Sequence, residues 1–196
     1  MSYLEFAGTV LYLLSVWLMT KRHLMTWPIG LVAVILYMAL FYQIQLYADA
    51  IEQLYYVGAS IWGWLLWTRA PRANYVVDKV TFSPPTQITA WIGAIAVCSA
   101  TFGYLLTDIH TLLPTLFSAP ASLPYLDALT TVMSFAAMWL LVKRRIESWV
   151  YWIIVDVIGI GLYFYKGVIF VSLLYVLLLF LAIKGFVQWR AQEESK

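Results

Sequence analysis

Residues 149–165 read WVYWIIVDVIGIGLYFY, an apolar run broken by a single carboxylate, Asp156. About 20 apolar residues in a helix cross a hydrocarbon core about 30 Å thick, so the run predicts a membrane-spanning helix with an acid inside it. Comparable runs at 3–20, 24–42, 47–67, 87–107, 125–142 and 168–188 bring the expected spans to seven. The breaks between them carry Lys21-Arg22-His23, Gln43-Ile44-Gln45, the Pro84-Pro85 pair, Pro114 with Pro120 and Pro124, Lys143-Arg144-Arg145, and Lys166-Gly167. Of the 196 residues, 63% are hydrophobic and 11% charged, against roughly 25% charged in a soluble domain. A soluble globule is excluded. The expectation is an all-α integral membrane protein forming one domain over 1–196.

Net charge excludes more. A formal +2 without a compact basic patch gives nucleic acid no footprint. The single cysteine, Cys98, permits no intrachain disulfide, and no Cys/His spacing suggests a metal site, so no cofactor or metal is expected. Glu5 stands where a signal peptide would be basic, so the first span reads as retained. Cytoplasmic loops accumulate Lys and Arg. With the N-terminus outside and the C-terminus in the cytoplasm, eleven of the twelve basic residues fall inside and only Lys166 falls outside. Trp17, Trp67, Trp139 and Trp189, at the ends of spans, read as interfacial anchors.

Sliding the chain by 122 positions pairs Trp17 with Trp139, Lys21-Arg22 with Lys143-Arg144, Trp27 with Trp149, Gly63 with Gly185, and Trp67 with Trp189, without a gap. Thr9 then meets Thr131, and Glu5 meets Asp127. Residues 3–68 and 125–190 therefore read as duplicated three-helix units. The linker helix at 87–107 returns the chain to its starting side, so the two units run in parallel. Parallel repeats of this kind recur in transporters, with the substrate near the midplane.

Asp156 is the costly residue. Trp149, Trp152, Asp156, Gly159 and Tyr163 follow i, i+3, i+7, i+10, i+14 and share one helical stripe. Asp156 lies about 10 Å along the helix from Trp149 at 1.5 Å per residue. A carboxylate at such depth costs about 2.5–3.5 kcal/mol on insertion scales unless something offsets it. No basic residue is expected at that depth, which points to a cationic ligand with Trp149, Trp152 and Tyr163 offering π faces. In the third span Gln53 and Tyr56 are expected to line the path, and Asp49 with Glu52 to sit in a solvated outer vestibule. Tyr175 could hydrogen-bond a ligand. Gly159 and Gly161, and Pro28 with Gly30, read as close-packing or flexible points. His23 and His110 belong to loops, and no GxxxxGK[ST] phosphate loop is present. Transport by alternating access is favoured over an intramembrane enzyme using Asp156, because general acid–base chemistry would need a second group at the same depth.

Residues 42–49, YQIQLYAD, with Gln53, Gly63-Trp64 and Trp67, and above all ESWVYWIIVDV at 147–157, resemble the PnuC family of bacterial vitamin transporters. The W-x-x-W-x-x-x-[N/D] signature is met by Trp149, Trp152 and Asp156, followed by Leu162-Tyr163, Lys166-Gly167 and Leu174-Tyr175. The resemblance implies a SWEET-like 3+1+3 fold in the bacterial inner membrane. It further implies uptake of nicotinamide riboside by facilitated diffusion, trapping by a cytoplasmic kinase, and a homotrimer. Asp156 stands where nicotinamide riboside members carry Asn, which leaves thiamine members as the alternative. Both vitamins carry a permanent aromatic cation suited to a carboxylate and tryptophans. Neutral riboflavin would use the carboxylate less well.

Overall fold

The computed structural model describes residues 3–43, 47–70, 72–73, 75–77, 79–114, 123–165, 167 and 169–194. Among them run seven helices: α1 Tyr3–Thr20, α2 Thr26–Gln43, α3 Tyr47–Thr68, α4 Pro85–Leu112, α5 Pro124–Val142, α6 Ser148–Tyr165 and α7 Ile169–Glu194. Two short antiparallel strands, β1 Arg72–Ala73 and β2 Val76–Val77, lie between α3 and α4. Five helices (α2, α4, α5, α6 and α7) are long and apolar enough to cross a membrane. The apolar part of α1, Phe6–Thr20, is shorter, and α3 carries Glu52 and Gln53 among its apolar residues. Helix α4 extends beyond both limits of the expected 87–107 span, and α7 runs past the C-terminal limit of the expected 168–188 span. Pro84 and Pro85 suit the start of α4, where the first N–H groups have no intrahelical acceptor.

Helix α1 packs on α2 and α2 on α3; α5 packs on α6 and α6 on α7. These groups meet where α1 touches α7 and α3 touches α5, while α4 lies against α5. Both α1 and α5 end in the same way. His23 N–H donates to Leu18 O at 3.0 Å and Arg22 N–H to Met19 O at 2.9 Å; Arg145 N–H donates to Leu140 O and Arg144 N–H to Leu141 O, each at 2.9 Å. This is the Schellman closure of a helix C-terminus, which needs a left-handed residue. Arginine fills that position in both loops, with φ 58° at Arg22 and 61° at Arg144.

The α3–α4 connection laces these loops in turn. Leu24 N–H donates to Tyr75 O (2.7 Å) and Val77 N–H to Arg22 O (3.0 Å). On the other side Ile146 N–H donates to Thr81 O (3.1 Å) and Thr81 N–H to Arg144 O (3.2 Å). The main core lies beneath. Its largest fully buried side chains are Trp27, Trp67, Trp149 and Trp189.

Candidate functional site

Those four indoles form a plug at the end of the bundle that carries the arginine loops. Their ring centroids run Trp27–Trp67 5.2 Å, Trp67–Trp189 6.3 Å and Trp149–Trp189 5.4 Å, with both outer pairs edge to face. Such pairs add about 0.5–1.5 kcal/mol each beyond the area they bury. Two glycines make the plug fit. A Cβ on Gly63 would stand 2.6 Å from Trp27 Cζ2, and one on Gly185 2.6 Å from Trp149 Cε2. The last carbonyls of a helix lack intrahelical donors, and the indoles supply them. Trp67 Nε1–H donates to Val142 O at 3.1 Å, and Trp189 Nε1–H to Met19 O and Thr20 O at 3.2 Å. The anchor expected at Trp67 and Trp189 is therefore corrected: both are fully buried, because each caps a helix of the other half rather than facing headgroups. Trp17 and Trp139 remain partly exposed, with the ammonium groups of Lys21 and Lys143 over their rings.

Beyond the plug lies a cluster of tyrosines and acids. Asp156 is 3% exposed and pairs with no cation among the described residues. Tyr12 of α1 and Tyr175 of α7 lie within electrostatic range of Asp156, and the same two hydroxyls lie within range of Glu52 of α3. Tyr56 joins them, its hydroxyl 3.4 Å from Glu52 Oε1 and close to Ser134 of α5. Tyr12 meets Tyr37 of α2 edge to face at 6.2 Å, and Tyr37 exchanges a 2.8 Å hydrogen bond with Thr9. Six helices thus contribute to one polar cluster inside an apolar bundle.

The sequence-derived candidates divide as follows. Tyr163 and Tyr175 stack at 5.3 Å with their planes 29° apart. Tyr175 approaches α6 over Gly159, where a Cβ would stand 3.0 Å from Tyr175 Cγ and closer still to the ring edge. The room at Gly159 is occupied by tyrosine. Gly161 has nothing within 4 Å, so it is not a packing point. Trp152 is half-buried and touches both core clusters, between the plug and the tyrosines. Trp149 is 1% exposed within the plug. The indole N–H groups of Trp149 and Trp152 are buried without an acceptor among the described residues, and a buried donor left unpaired costs about 1–3 kcal/mol. Gln53 lies half-buried on α3, one turn before the Tyr56–Val57 level.

Glu52 departs from the solvated vestibule expected for it, since it is half-buried beside tyrosines; the Asp49 side chain lies outside the described residues. Sequence reasoning does not single out Tyr12 or Tyr37; Ser134 shares a face with Asp127 and Thr131 in the sequence, where a hydroxyl bonded back to its own helix is the ordinary reading. The signal for Tyr12 lay in its i, i+3 spacing from Thr9 within an otherwise apolar stretch of α1.

A family model described as nicotinamide mononucleotide transporter matches residues 2–191. The chain belongs to this family. The nicotinamide riboside transporter PnuC of Escherichia coli (strain K12) is 28% identical, over 96% of this chain and 85% of the relative. The riboflavin/roseoflavin transporter RibM of Streptomyces davaonensis is 27% identical, over 98% of this chain and 87% of the relative. The crystal structure of the vitamin B3 transporter PnuC matches the fold with a TM-score of 0.76 at 24% identity, covering 99% of this chain and 83% of that one. This family member is a multi-pass transporter of the bacterial inner membrane and not an enzyme.

Proposed function

We propose that the chain imports nicotinamide riboside by facilitated diffusion, with its site between α1–α3 and α5–α7. The observation that carries the reading is Asp156: a buried acid with no cation beside it among the described residues, in a cluster that already holds Glu52. A pyridinium ring would supply the missing positive charge and reduce the cost of holding two acids in a low-dielectric site. Trp152 and Tyr163 would offer stacking faces, and Trp149 the rigid floor with an unpaired N–H. Gln53, Tyr56 and Tyr175 would bind ribose hydroxyls or the carboxamide, with Tyr12 and Tyr37 completing the wall.

In this proposal the arrangement is 3+1+3. The two three-helix units run parallel, α4 links them, the N-terminus is outside and the plugged end faces the cytoplasm. Rocking of one unit against the other would separate Trp67 from Val142 and Trp189 from Thr20, and so open the inner end. Trapping by a cytoplasmic kinase and a trimeric assembly are carried over from the resemblance.

Two other vitamins are rivals, riboflavin through a relative's name and thiamine through the sequence resemblance. RibM is named for riboflavin, but a neutral flavin gains nothing from Asp156 or Glu52. Thiamine has the required ring cation and stays the closest rival on charge. Titration calorimetry of the purified protein with nicotinamide riboside, thiamine and riboflavin separates them. Nicotinamide riboside is expected to bind most tightly; preference for thiamine reassigns the substrate within the cationic class, and preference for riboflavin refutes the charge-pairing argument.

A further inference from the structure

The two arginine loops share a backbone and differ in what their side chains do. Each holds its arginine in the left-handed region, a strained conformation for a non-glycine residue. In the first, Arg22 Nη1–H donates to Val77 O at 2.9 Å. In the second, Arg144 is half-buried and meets no acceptor among the described residues. It borders an open cleft of 120 Å³ whose other described lining residues are Lys79, Thr81, Lys143 and Arg145.

The cleft is built rather than incidental. Arg145 Nη1 is fixed by donation to Thr81 Oγ1 at 2.8 Å and Phe82 O at 3.2 Å, which leaves the Thr81 hydroxyl hydrogen free to donate outward. Backbone pairing of Thr81 with Arg144 and Ile146 locks the two walls together. Neither described acid near the cleft lines it: Glu147 is buried, its Oε2 accepting from Ser83 N–H at 3.2 Å, and Glu193 Oε1 accepts from Phe82 N–H at 3.0 Å. Burial, and then the charge of Arg145, pull the Arg144 guanidinium below its ordinary value. Four cations thus surround a small space in which no described carboxylate answers them.

We propose that this cleft binds a phosphate group, presented either by an anionic membrane lipid or by a soluble phosphate. A phosphate monoester carries about −1.5 to −2 charge with three strong acceptor oxygens, which suits four cations better than a single carboxylate does. The planar Arg144 fork can engage two of those oxygens at once. Thr81 supplies a further donor, and Lys79 and Lys143 close the rim.

Thermal unfolding of the full-length protein in neutral detergent tests this with two probes, short-chain phosphatidic acid and inorganic phosphate, against short-chain phosphatidylcholine and chloride at equal ionic strength. At least one phosphate probe is expected to raise the unfolding temperature, and its apparent affinity to fall about tenfold in Arg144→Gln. Lys79→Gln, at an exposed loop position, is expected to weaken it as well without disturbing the fold. Lys21→Gln, on the matched loop, leaves it unchanged. Stabilisation by phosphatidic acid alone assigns the group to the bilayer, and stabilisation by inorganic phosphate assigns it to solution. No stabilisation by either probe, or equal stabilisation of wild type, Arg144→Gln and Lys79→Gln, overturns the proposal.

Discussion

At the plugged end the two halves of the chain are near copies, and deeper in the bundle they are not. Under the 122-residue offset Trp27, Gly63, Trp67 and Thr20 correspond to Trp149, Gly185, Trp189 and Val142, and every contact among them has its counterpart. The same offset sets Asp156 against Val34, Trp152 against Gly30, Tyr175 against Gln53, Gly159 against Tyr37, and Ser134 against Tyr12. In the proposed transport cycle the plug is the inner closure, and a seal between two similar halves works well as two equal contacts. The proposed guest, with a charged ring at one end and a sugar at the other, has no two-fold symmetry, so walls built to hold it would differ.

The comparison can be broken at either end. The largest effect is expected at the asymmetric level: Asp156→Ala should weaken nicotinamide riboside binding by about 2–5 kcal/mol, as removal of one buried charge partner does, whereas Val34→Ala should leave it nearly unchanged. Titration calorimetry on both variants decides it, and equal losses would dissolve the distinction. Next come the glycines. Gly63→Ala and Gly185→Ala each force a Cβ into an indole and should each destabilise the fold by about 1–3 kcal/mol; denaturation in detergent should give matching values for the pair. Trp67→Phe and Trp189→Phe remove one indole donor each and should cost about 0.5–1.5 kcal/mol in that bond, plus a similar packing loss at both sites. Gly161→Ala should be the mildest, neutral or slightly stabilising, since its Cβ meets nothing and helix propensity favours Ala. A marked loss there would mean that Gly161 contacts something in another state.

Much of this contrast was legible in the chain. The run at 149–165 predicted α6 to within one residue, and the matched Trp, Gly and Arg pairs foreshadowed the plug, because repeated contacts require repeated residue types. Asp156 was legible because a lone carboxylate in an apolar run has few inexpensive explanations. What sequence could not supply was the partner across the bundle. Trp67 and Trp189 read as belt residues since an indole at a helix end suits both headgroups and a neighbour's carbonyl, and only packing tells them apart. Glu52 read as wet because it stands near the start of α3, although α1 and α7 bring Tyr12 and Tyr175 into its field. The strands β1 and β2, two residues each, offered no periodicity to detect.

Selection of a positively charged ring is the property proposed for Asp156 and its neighbours. Nicotinamide riboside and its neutral 1,4-dihydro form differ little in shape and by one full charge, so their affinities for the purified protein measure that selection directly. Clear preference for the cation is expected in the wild type, with most of that preference lost in Asp156→Asn. Equal affinity for the two forms in the wild-type protein would contradict it.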